Sequence, residues 1–306
     1  MTISAGLVLG GAVSPASARV VSWKGVALGA EAKLIITGVA EARGKRLIGL
    51  ALKEIDRLEN IFSLYRPGSA LCSLNARGRL PSPPADLLSL LSQVSAIHAV
   101  TGGLFDPTVQ PLWRAFAEHG GNPDREFIRA AYGKVGWPLV KYHLGGIEFA
   151  RPDMQLTLNG VAQGFITDRI TALLHSEGLQ NAVVSIGEIS AMGHRSGAGG
   201  WRVGLAAMGD ETATDFIQLQ NRSVATSAPL GTTFDDGNSH IICPLSGRPV
   251  LSRWRRVSVV HRSAAIADGL STAAILMDEA QLLACIDAVG KASATARRTD
   301  GSLLAI

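Results

Sequence analysis

The sequence predicts a mixed fold of helices and strands, and two observations favour the α+β class. Helical apolar periodicities are interleaved with short strand-like runs, without the regular strand–helix–strand alternation of a parallel sheet. No GxGxxG or GxxxxGK[ST] motif stands between a strand and a helix, which argues against dinucleotide-binding and P-loop folds. We therefore expect mixed α/β or α+β rather than a doubly wound parallel sheet.

The predicted elements follow from composition and spacing. The segment 33–38 has the composition of a strand, and 46–62 carries apolar residues at helical spacing. A second helix is predicted over 84–99, and a third begins near Gly164 and ends at Gly178. The later strands are predicted at 182–186, 201–207, 216–227, 256–262 and 302–306. Two further helices are predicted over 266–277 and 279–289.

Composition and charge exclude several classes of protein. The 306 residues are 47% apolar and 18% charged, which is typical of a compact chain rather than a disordered one. The net charge is +4, and apart from Arg253, Arg255 and Arg256 the arginines are scattered, so no nucleic-acid partner is expected. The three cysteines are too few and too far apart for a disulfide framework or a zinc site.

The N-terminal region predicts export. An apolar run over 3–13 precedes Ala16-Ser17-Ala18, a small-residue pattern typical of signal-peptide cleavage. No Lys or Arg precedes Arg19, so either the start codon is placed too late or the leader is simply apolar. We interpret 1–18 as a signal peptide and 19–306 as a single domain. No apolar run approaches the roughly 18 residues that a membrane span requires, so no span is expected.

Four regions carry residues suited to chemistry, and each also has a plain structural explanation. The stretch 63–75 reads as a loop, and Asp106 in 101–112 reads as an Asx turn or a helix cap. The stretch 156–169 has the pattern of a strand-to-helix connection. The fourth region consists of two separate segments, 239–247 and 266–273. There, Asp268 and Thr272 stand four residues apart and would share one helix face. A carboxylate, a hydroxyl and a backbone carbonyl suit Mg²⁺, which commonly bridges phosphates.

Taken in order, these regions resemble the ApbE family of FAD:protein FMN transferases. The matching segments are "SLYRPGSALCSLN", "GGLFDPTVQPL", "LTLNGVAQGFITD", "VATS", "HIICPLSGRP" and "ADGLSTA", between about residues 55 and 275. The resemblance implies a two-lobed α+β fold with FAD in the cleft between the lobes. It also implies a Mg²⁺-dependent reaction that attaches FMN from FAD, through a phosphoester, to a Thr of a partner flavoprotein and releases AMP.

Details of the sequence resemble the NosX branch, which accompanies nitrous-oxide reductase. They are Thr157, Asn159, Gln163 and the pair Gly187-Glu188, which stands where much of the family has two glycines. This closer resemblance implies an exported, periplasmic protein. It also implies an acceptor that is the membrane flavoprotein supporting nitrous-oxide reductase.

The resemblance also implies residue roles. Asp268 and Thr272 match the family's metal ligands, together with a backbone carbonyl from the turn at Gly160. His240 matches a histidine near the phosphates, which orients the pyrophosphate or aids proton transfer, so His240 and Asp268 are the expected catalytic residues. The residues expected to bind FAD are Tyr65, Asn75, Phe105, Asp106, Gln163, Ser227 and His240.

Three positions depart from the family pattern; two of them resemble branch features, and Cys243 supports the first of two alternatives. Cys243 replaces the Asp of an H-I-x-D-P motif, Thr157 replaces a common Asp, and Gln163 replaces a common Lys. The first alternative is a catalytically weakened protein that binds FAD or donates flavin. The second is a Mg²⁺-dependent FAD pyrophosphatase, in which water replaces the acceptor hydroxyl.

Overall fold

The protein is described here by a computed structural model that covers residues 20–194, 199–206, 213 and 215–306. The predicted signal peptide, 1–18, lies outside these residues. The helices are α1 (Glu41–Phe62), α2 (Ala70–Arg77), α3 (Ala85–Val100), α4 (Gln110–Glu118), α5 (Arg125–Tyr132), α6 (Ala162–Ser176), α7 (Ala264–Ala274) and α8 (Glu279–Val289). The strands are β1 (Val20–Ala27), β2 (Ala30–Thr37), β3 (Arg79–Pro81), β4 (Val140–His143), β5 (Gly146–Phe149), β6 (Ala182–Ile186), β7 (Glu188–Met192), β8 (Trp201–Leu205), β9 (Asp215–Leu219), β10 (Arg222–Ser227), β11 (Ile242–Cys243), β12 (Arg248–Pro249), β13 (Trp254–His261), β14 (Ser293–Arg298) and β15 (Leu303–Ala305).

One large antiparallel sheet organises the chain. Its eight strands run in the order β1-β2-β6-β7-β10-β13-β14-β15, and each neighbouring pair is antiparallel. Smaller antiparallel sheets are formed by β3-β5-β4, β8-β9 and β11-β12. Antiparallel pairing throughout the large sheet, with helices packed against it, confirms the α+β class.

The central strands are buried on both faces of the sheet. In β6, Val184 and Ile186 join the main core, which the helices share, whereas Val183 joins a second core with Trp201 and Leu219 of the β8-β9 ribbon. Successive side chains of a strand point to opposite faces, so these two cores lie on opposite sides of the sheet. This explains why every residue of β6 and β7 is buried.

Most of the predicted elements are present, with two corrections. The stretch 63–75, interpreted as a loop, contains the start of α2, because Ser69 accepts a hydrogen bond from the Cys72 N–H and so caps the helix. Leu71 and Leu74 of this helix are fully buried in the core. The predicted strand over 216–227 is two strands, β9 and β10, because the chain turns at Asn221 with φ 51°.

The relative placement of α6 and α7 fixes the frame of the candidate site. The carboxylate of Asp168 in α6 accepts hydrogen bonds from the Ser263 hydroxyl (2.6 Å) and from the N–H groups of Ala264 (2.7 Å) and Ala265 (3.1 Å). These groups lie at the start of α7, where backbone N–H groups have no partner within the helix. Among the described residues, no helix is both long and apolar enough to cross a membrane.

Candidate active site

A cavity of about 480 Å³ lies where α7, the end of β10, the segment before α4 and the loop before α6 meet. This volume is within the usual range of small-molecule sites. Apolar and aromatic side chains, among them Leu64, Leu104, Phe105 and Trp113, form much of its wall. The cavity can therefore accept a molecule with a flat apolar part and a polar part.

Most of the residues predicted from the sequence meet in this cavity. Its lining includes Tyr65, Asn75, Phe105, Asp106, Gly160, Ser227, His240, Asp268 and Thr272. The exception is Gln163, which is 2% exposed in the first turn of α6 and is not part of the wall. Its carboxamide oxygen lies against Gly187 and has no hydrogen-bond partner among the described residues.

Three residues near the start of α6 carry oxygen atoms that could bind a metal ion. Asp268 is 2% exposed, and its Oδ2 accepts a hydrogen bond of 3.2 Å from the Gly164 N–H. The loop backbone at Gly160 runs close to the Thr272 hydroxyl, since a Cβ added at Gly160 would lie 3.1 Å from Thr272 Oγ1. Within the described chain, the Gly160 carbonyl receives no backbone hydrogen bond. Carboxylate, hydroxyl and carbonyl oxygens are the ligands that hard cations such as Mg²⁺ prefer.

The electrostatics of this region also fit a cation. Burial raises the pKa of Asp268 to about 8, although the hydrogen bond from Gly164 opposes the shift. Burial raises the pKa of Glu188 well above its ordinary value too, and the nearby charge of Asp268 adds to this shift. A divalent cation would favour the ionised form of both groups. No cluster of three or more His, Cys, Asp or Glu side chains suited to a metal occurs among the described residues, so hydroxyl and carbonyl ligands would be needed.

His240 presents a neutral imidazole to the cavity. Its Nδ1 lies 2.7 Å from the carbonyl oxygen of Thr232. A carbonyl only accepts hydrogen bonds, so we assign the proton of the neutral ring to Nδ1, which leaves Nε2 with a lone pair. Burial lowers the pKa of His240 below its usual value, against a smaller opposing effect of the Thr232 bond. The ring can therefore take up a proton through Nε2.

Two residues predicted to bind FAD use their polar atoms within the protein. Asp106 accepts hydrogen bonds from the N–H (2.8 Å) and hydroxyl (2.5 Å) of Thr108 and from the Trp137 N–H (2.9 Å). This is the helix-cap interpretation that its sequence context allowed. The Asn75 side-chain amide bonds to both the N–H and the carbonyl of Leu156, each at 2.8 Å. Both residues shape the wall and hold its loops in place.

Other predicted residues contribute differently. Phe105 is 5% exposed and packs against the Gly160 loop, whereas Tyr65 is 66% exposed. The Ser227 hydroxyl lies 2.8 Å from the Ser271 hydroxyl. The Ser271 hydroxyl in turn donates a hydrogen bond to the backbone carbonyl of Asp268. Ser227 therefore helps to join β10 to the helix that carries Asp268.

Sequence reasoning missed two prominent residues of the cavity wall. Trp113 follows directly after the Pro-Leu that ends a quoted motif, so an aromatic residue next to a motif was the available signal. Glu188 was noted only as a feature of one family branch, yet it is a buried carboxylate in the wall. A charged residue inside an apolar strand pattern was the signal for it.

Comparisons with known proteins show a matching family, related sequences and a shared fold. The ApbE family matches residues 28–295. The FAD:protein FMN transferase of Klebsiella pneumoniae (strain 342) is 27% identical over 281 residues, covering 86% of this chain and 80% of the relative. That of Treponema pallidum (strain Nichols) is 29% identical over 258 residues, covering 74% and 71%. The solved structure of the flavin transferase ApbE from Vibrio cholerae superposes with a TM-score of 0.82 at 24% identity, covering 95% of this chain and 97% of that one. The ApbE protein of Thermotoga maritima superposes with a TM-score of 0.83 at 23% identity, covering 94% and 97%.

Proposed function

The chain belongs to the ApbE family, and we propose from this premise that it is a FAD:protein FMN transferase, a flavin transferase, with FAD bound in the cavity described above. One observation carries the proposal. Asp268, Thr272 and Gly160, whose oxygen atoms could bind a metal ion, line the same cavity as the neutral ring of His240. A pyrophosphate needs both its charge neutralised and its attacking group activated, and this cavity provides groups for each task.

The reaction we propose transfers FMN to the side chain of an acceptor Thr. The Thr oxygen attacks the FMN phosphorus of FAD, a new phosphoester bond forms, and the bond to the bridging oxygen breaks so that AMP leaves. His240 Nε2 accepts the hydroxyl proton, and the Thr232 carbonyl keeps the ring in the required tautomer. Asp268, Thr272 and the Gly160 carbonyl would hold Mg²⁺, which when bound neutralises the phosphates and stabilises the departing AMP.

The rest of the cavity wall orients the flavin. Phe105 and Trp113 offer flat apolar surfaces on which an aromatic ring system can stack. Tyr65, which is 66% exposed, provides an aromatic contact that solvent also reaches. The polar atoms of Asp106 and Asn75 are already bonded to the protein, so we assign these residues to the shape of the wall.

We further propose an exported, periplasmic protein that serves a respiratory system such as nitrous-oxide reductase. The small-residue pattern after the apolar run supports export, and the residues Thr157, Asn159, Gln163 and Glu188 support the NosX branch. The acceptor would be the membrane flavoprotein of that system, modified on a Thr.

The weakened FAD-binding alternative receives little support from the position of Cys243. Cys243 lies in the β11-β12 hairpin, where its carbonyl accepts a hydrogen bond from the Gly247 N–H, and it does not line the cavity. The lost carboxylate therefore leaves the polar groups around Asp268 and His240 in place. The pyrophosphatase alternative uses the same groups with water as the acceptor, and it is an outcome of the experiment below.

The test is to incubate the purified protein with FAD and Mg²⁺, with and without a Thr-bearing acceptor domain. AMP release is followed by chromatography and FMN attachment by mass spectrometry of the acceptor. Asp268→Asn should abolish transfer, whereas the matched change at an exposed carboxylate, Asp153→Asn, should leave it unchanged. AMP release without an acceptor would favour the pyrophosphatase, and FAD binding without AMP release would favour the weakened binder.

A further inference from the structure

Glu188 is a second buried carboxylate in the cavity, and the proposed reaction assigns it no role. It is the first residue of β7 and is 3% exposed. Its Oε2 accepts a hydrogen bond of 3.2 Å from the Thr226 N–H in the neighbouring strand β10. It lines the same cavity as Asp268, and the two charges interact.

Glu188 and Asp268 have no cationic partner among the described residues. No ion pair in the described part of the chain includes either residue, and the basic residue of the cavity wall, Arg114, is paired with Glu118. A buried carboxylate is costly unless it is paired or binds a metal, and two that repel each other are more so. Unless both carboxyls stay protonated, the positive charge that balances them has to come from outside the described chain.

An independent observation beside Glu188 points the same way. In the part of the chain that the structure describes, the buried carboxamide oxygen of Gln163 has no hydrogen-bond partner, and it lies against Gly187, the residue before Glu188. Buried acceptor oxygens are rarely left unsatisfied in folded proteins, because the loss of hydration is not recovered. An amide oxygen without a partner among the described residues thus lies behind the cavity wall, next to the strand that carries Glu188.

We propose that Glu188 is part of the divalent-cation site, so that its carboxylate and that of Asp268 together balance the +2 charge. This inference rests on the cation site of the proposed function and adds a residue to it. A glutamate retained only for folding would be expected to have a basic partner or hydrogen bonds to both oxygens. Among the described residues, the carboxylate of Glu188 accepts one hydrogen bond, from the Thr226 N–H.

The substitution Glu188→Gln separates charge from shape. Glutamine keeps the length of the side chain and an oxygen that can accept the Thr226 N–H, but it removes the negative charge. We expect the affinity for Mg²⁺ to fall about 10- to 100-fold, the effect typical of groups that support metal ligands. The melting temperature of the metal-free protein should stay the same or rise, because one of two repelling charges is gone.

The experiment is a calorimetric titration of the metal-free, flavin-free protein with Mg²⁺ alone, paired with melting curves before metal is added. The variants are Glu188→Gln, Asp268→Asn as the positive control, and Glu41→Gln, a matched change at an exposed helix position. Weaker binding by Glu188→Gln with an unchanged or higher melting temperature supports the inference. Mg²⁺ affinity within twofold of the unmodified protein overturns it.

The remaining outcomes also decide between the inference and its alternatives. If Glu188→Gln lowers the melting temperature of the metal-free protein, Glu188→Asp, which restores the charge, is titrated beside it: a higher Mg²⁺ affinity than that of Glu188→Gln supports the inference, and an affinity equal to that of Glu188→Gln overturns it. If Asp268→Asn weakens binding and Glu188→Gln does not, only this inference fails. If neither does, or if the unmodified protein shows no saturable binding, the cation site of the proposed function fails as well.

Discussion

The contact at Gly164 holds α6 and α7 together, and replacing this glycine by alanine should damage both stability and activity. A Cβ at position 164 would lie 2.4 Å from the carbonyl oxygen of Ala264 and 2.7 Å from the Cα of Ala265. Both are backbone atoms at the start of α7, so they cannot move aside as a flexible side chain would. The Gly164 N–H also donates to Asp268, so a displaced α7 changes the site itself.

The expected magnitude follows from two opposing effects. Forcing a methyl group into a packed contact typically costs about 1–3 kcal/mol. Alanine is favoured over glycine in a helix by about 0.5–1 kcal/mol, which offsets part of this cost. We therefore expect Gly164→Ala to lower the free energy of unfolding by about 1–2 kcal/mol.

The matched control is Gly49→Ala within α1. A Cβ there meets nothing within 4 Å, so only the helix preference remains and the free energy of unfolding should rise by about 0.5–1 kcal/mol. The same chemical change should thus have opposite signs at the two positions in urea unfolding. FMN transfer should fall in Gly164→Ala and persist in Gly49→Ala. A Gly164→Ala protein as stable and active as the unmodified one would refute the close-packing argument.

Three further predictions concern charged and polar groups. Asp168→Ala removes the carboxylate that accepts the first N–H groups of α7, so urea unfolding should show a loss of about 0.5–2 kcal/mol, the usual size of a helix cap. Burial alone would raise the pKa of Asp215, but hydrogen bonds from Arg297 and Arg256 lower it below 3.8. Its stabilising contribution should therefore be present above pH 3.8 and lost at lower pH, and unfolding measured across this range should show a smaller pH dependence in Asp215→Asn. Burial lowers the pKa of His240 below 6.5, so the neutral base persists to lower pH and the acid limb of the transfer rate should lie below pH 6.5. His240→Gln should reduce that rate by about 10²–10⁴-fold and remove the limb, while an unchanged profile would exclude His240 as the base.

Local patterns in the sequence predicted much of the secondary structure. In α1, Ile48, Ala51, Ile55 and Leu58 recur at helical spacing, and all four are buried. The same reasoning placed α3, α6, α7 and α8 within a few residues of their ends. It failed at 63–75, because the cap at Ser69 and two buried leucines outweigh the turn-prone composition around them.

The candidate site shows the same division between local and distant information. The spacing of Asp268 and Thr272 was informative because four residues make about one helical turn, and both now lie in α7. The local context of Asp106 allowed its cap on Thr108, but its bond to Trp137 and the bonds of Asn75 to Leu156 were not predictable, because these partners are distant in the sequence. The polar atoms of Asp106 and Asn75 are engaged by the protein.

The sequence by itself determined the fold class, the order of the main helices and strands, and a family resemblance carried by short motifs. These are properties of neighbouring residues, since periodicity, capping and turns act over a few positions. Only the tertiary structure decided that Glu188 faces the same cavity as Asp268, that Gln163 is buried behind the wall, and that Thr232 sets the tautomer of His240. Burial, charge and hydrogen bonding at these residues depend on atoms that the fold brings together from separate strands and helices, so no local pattern could predict them.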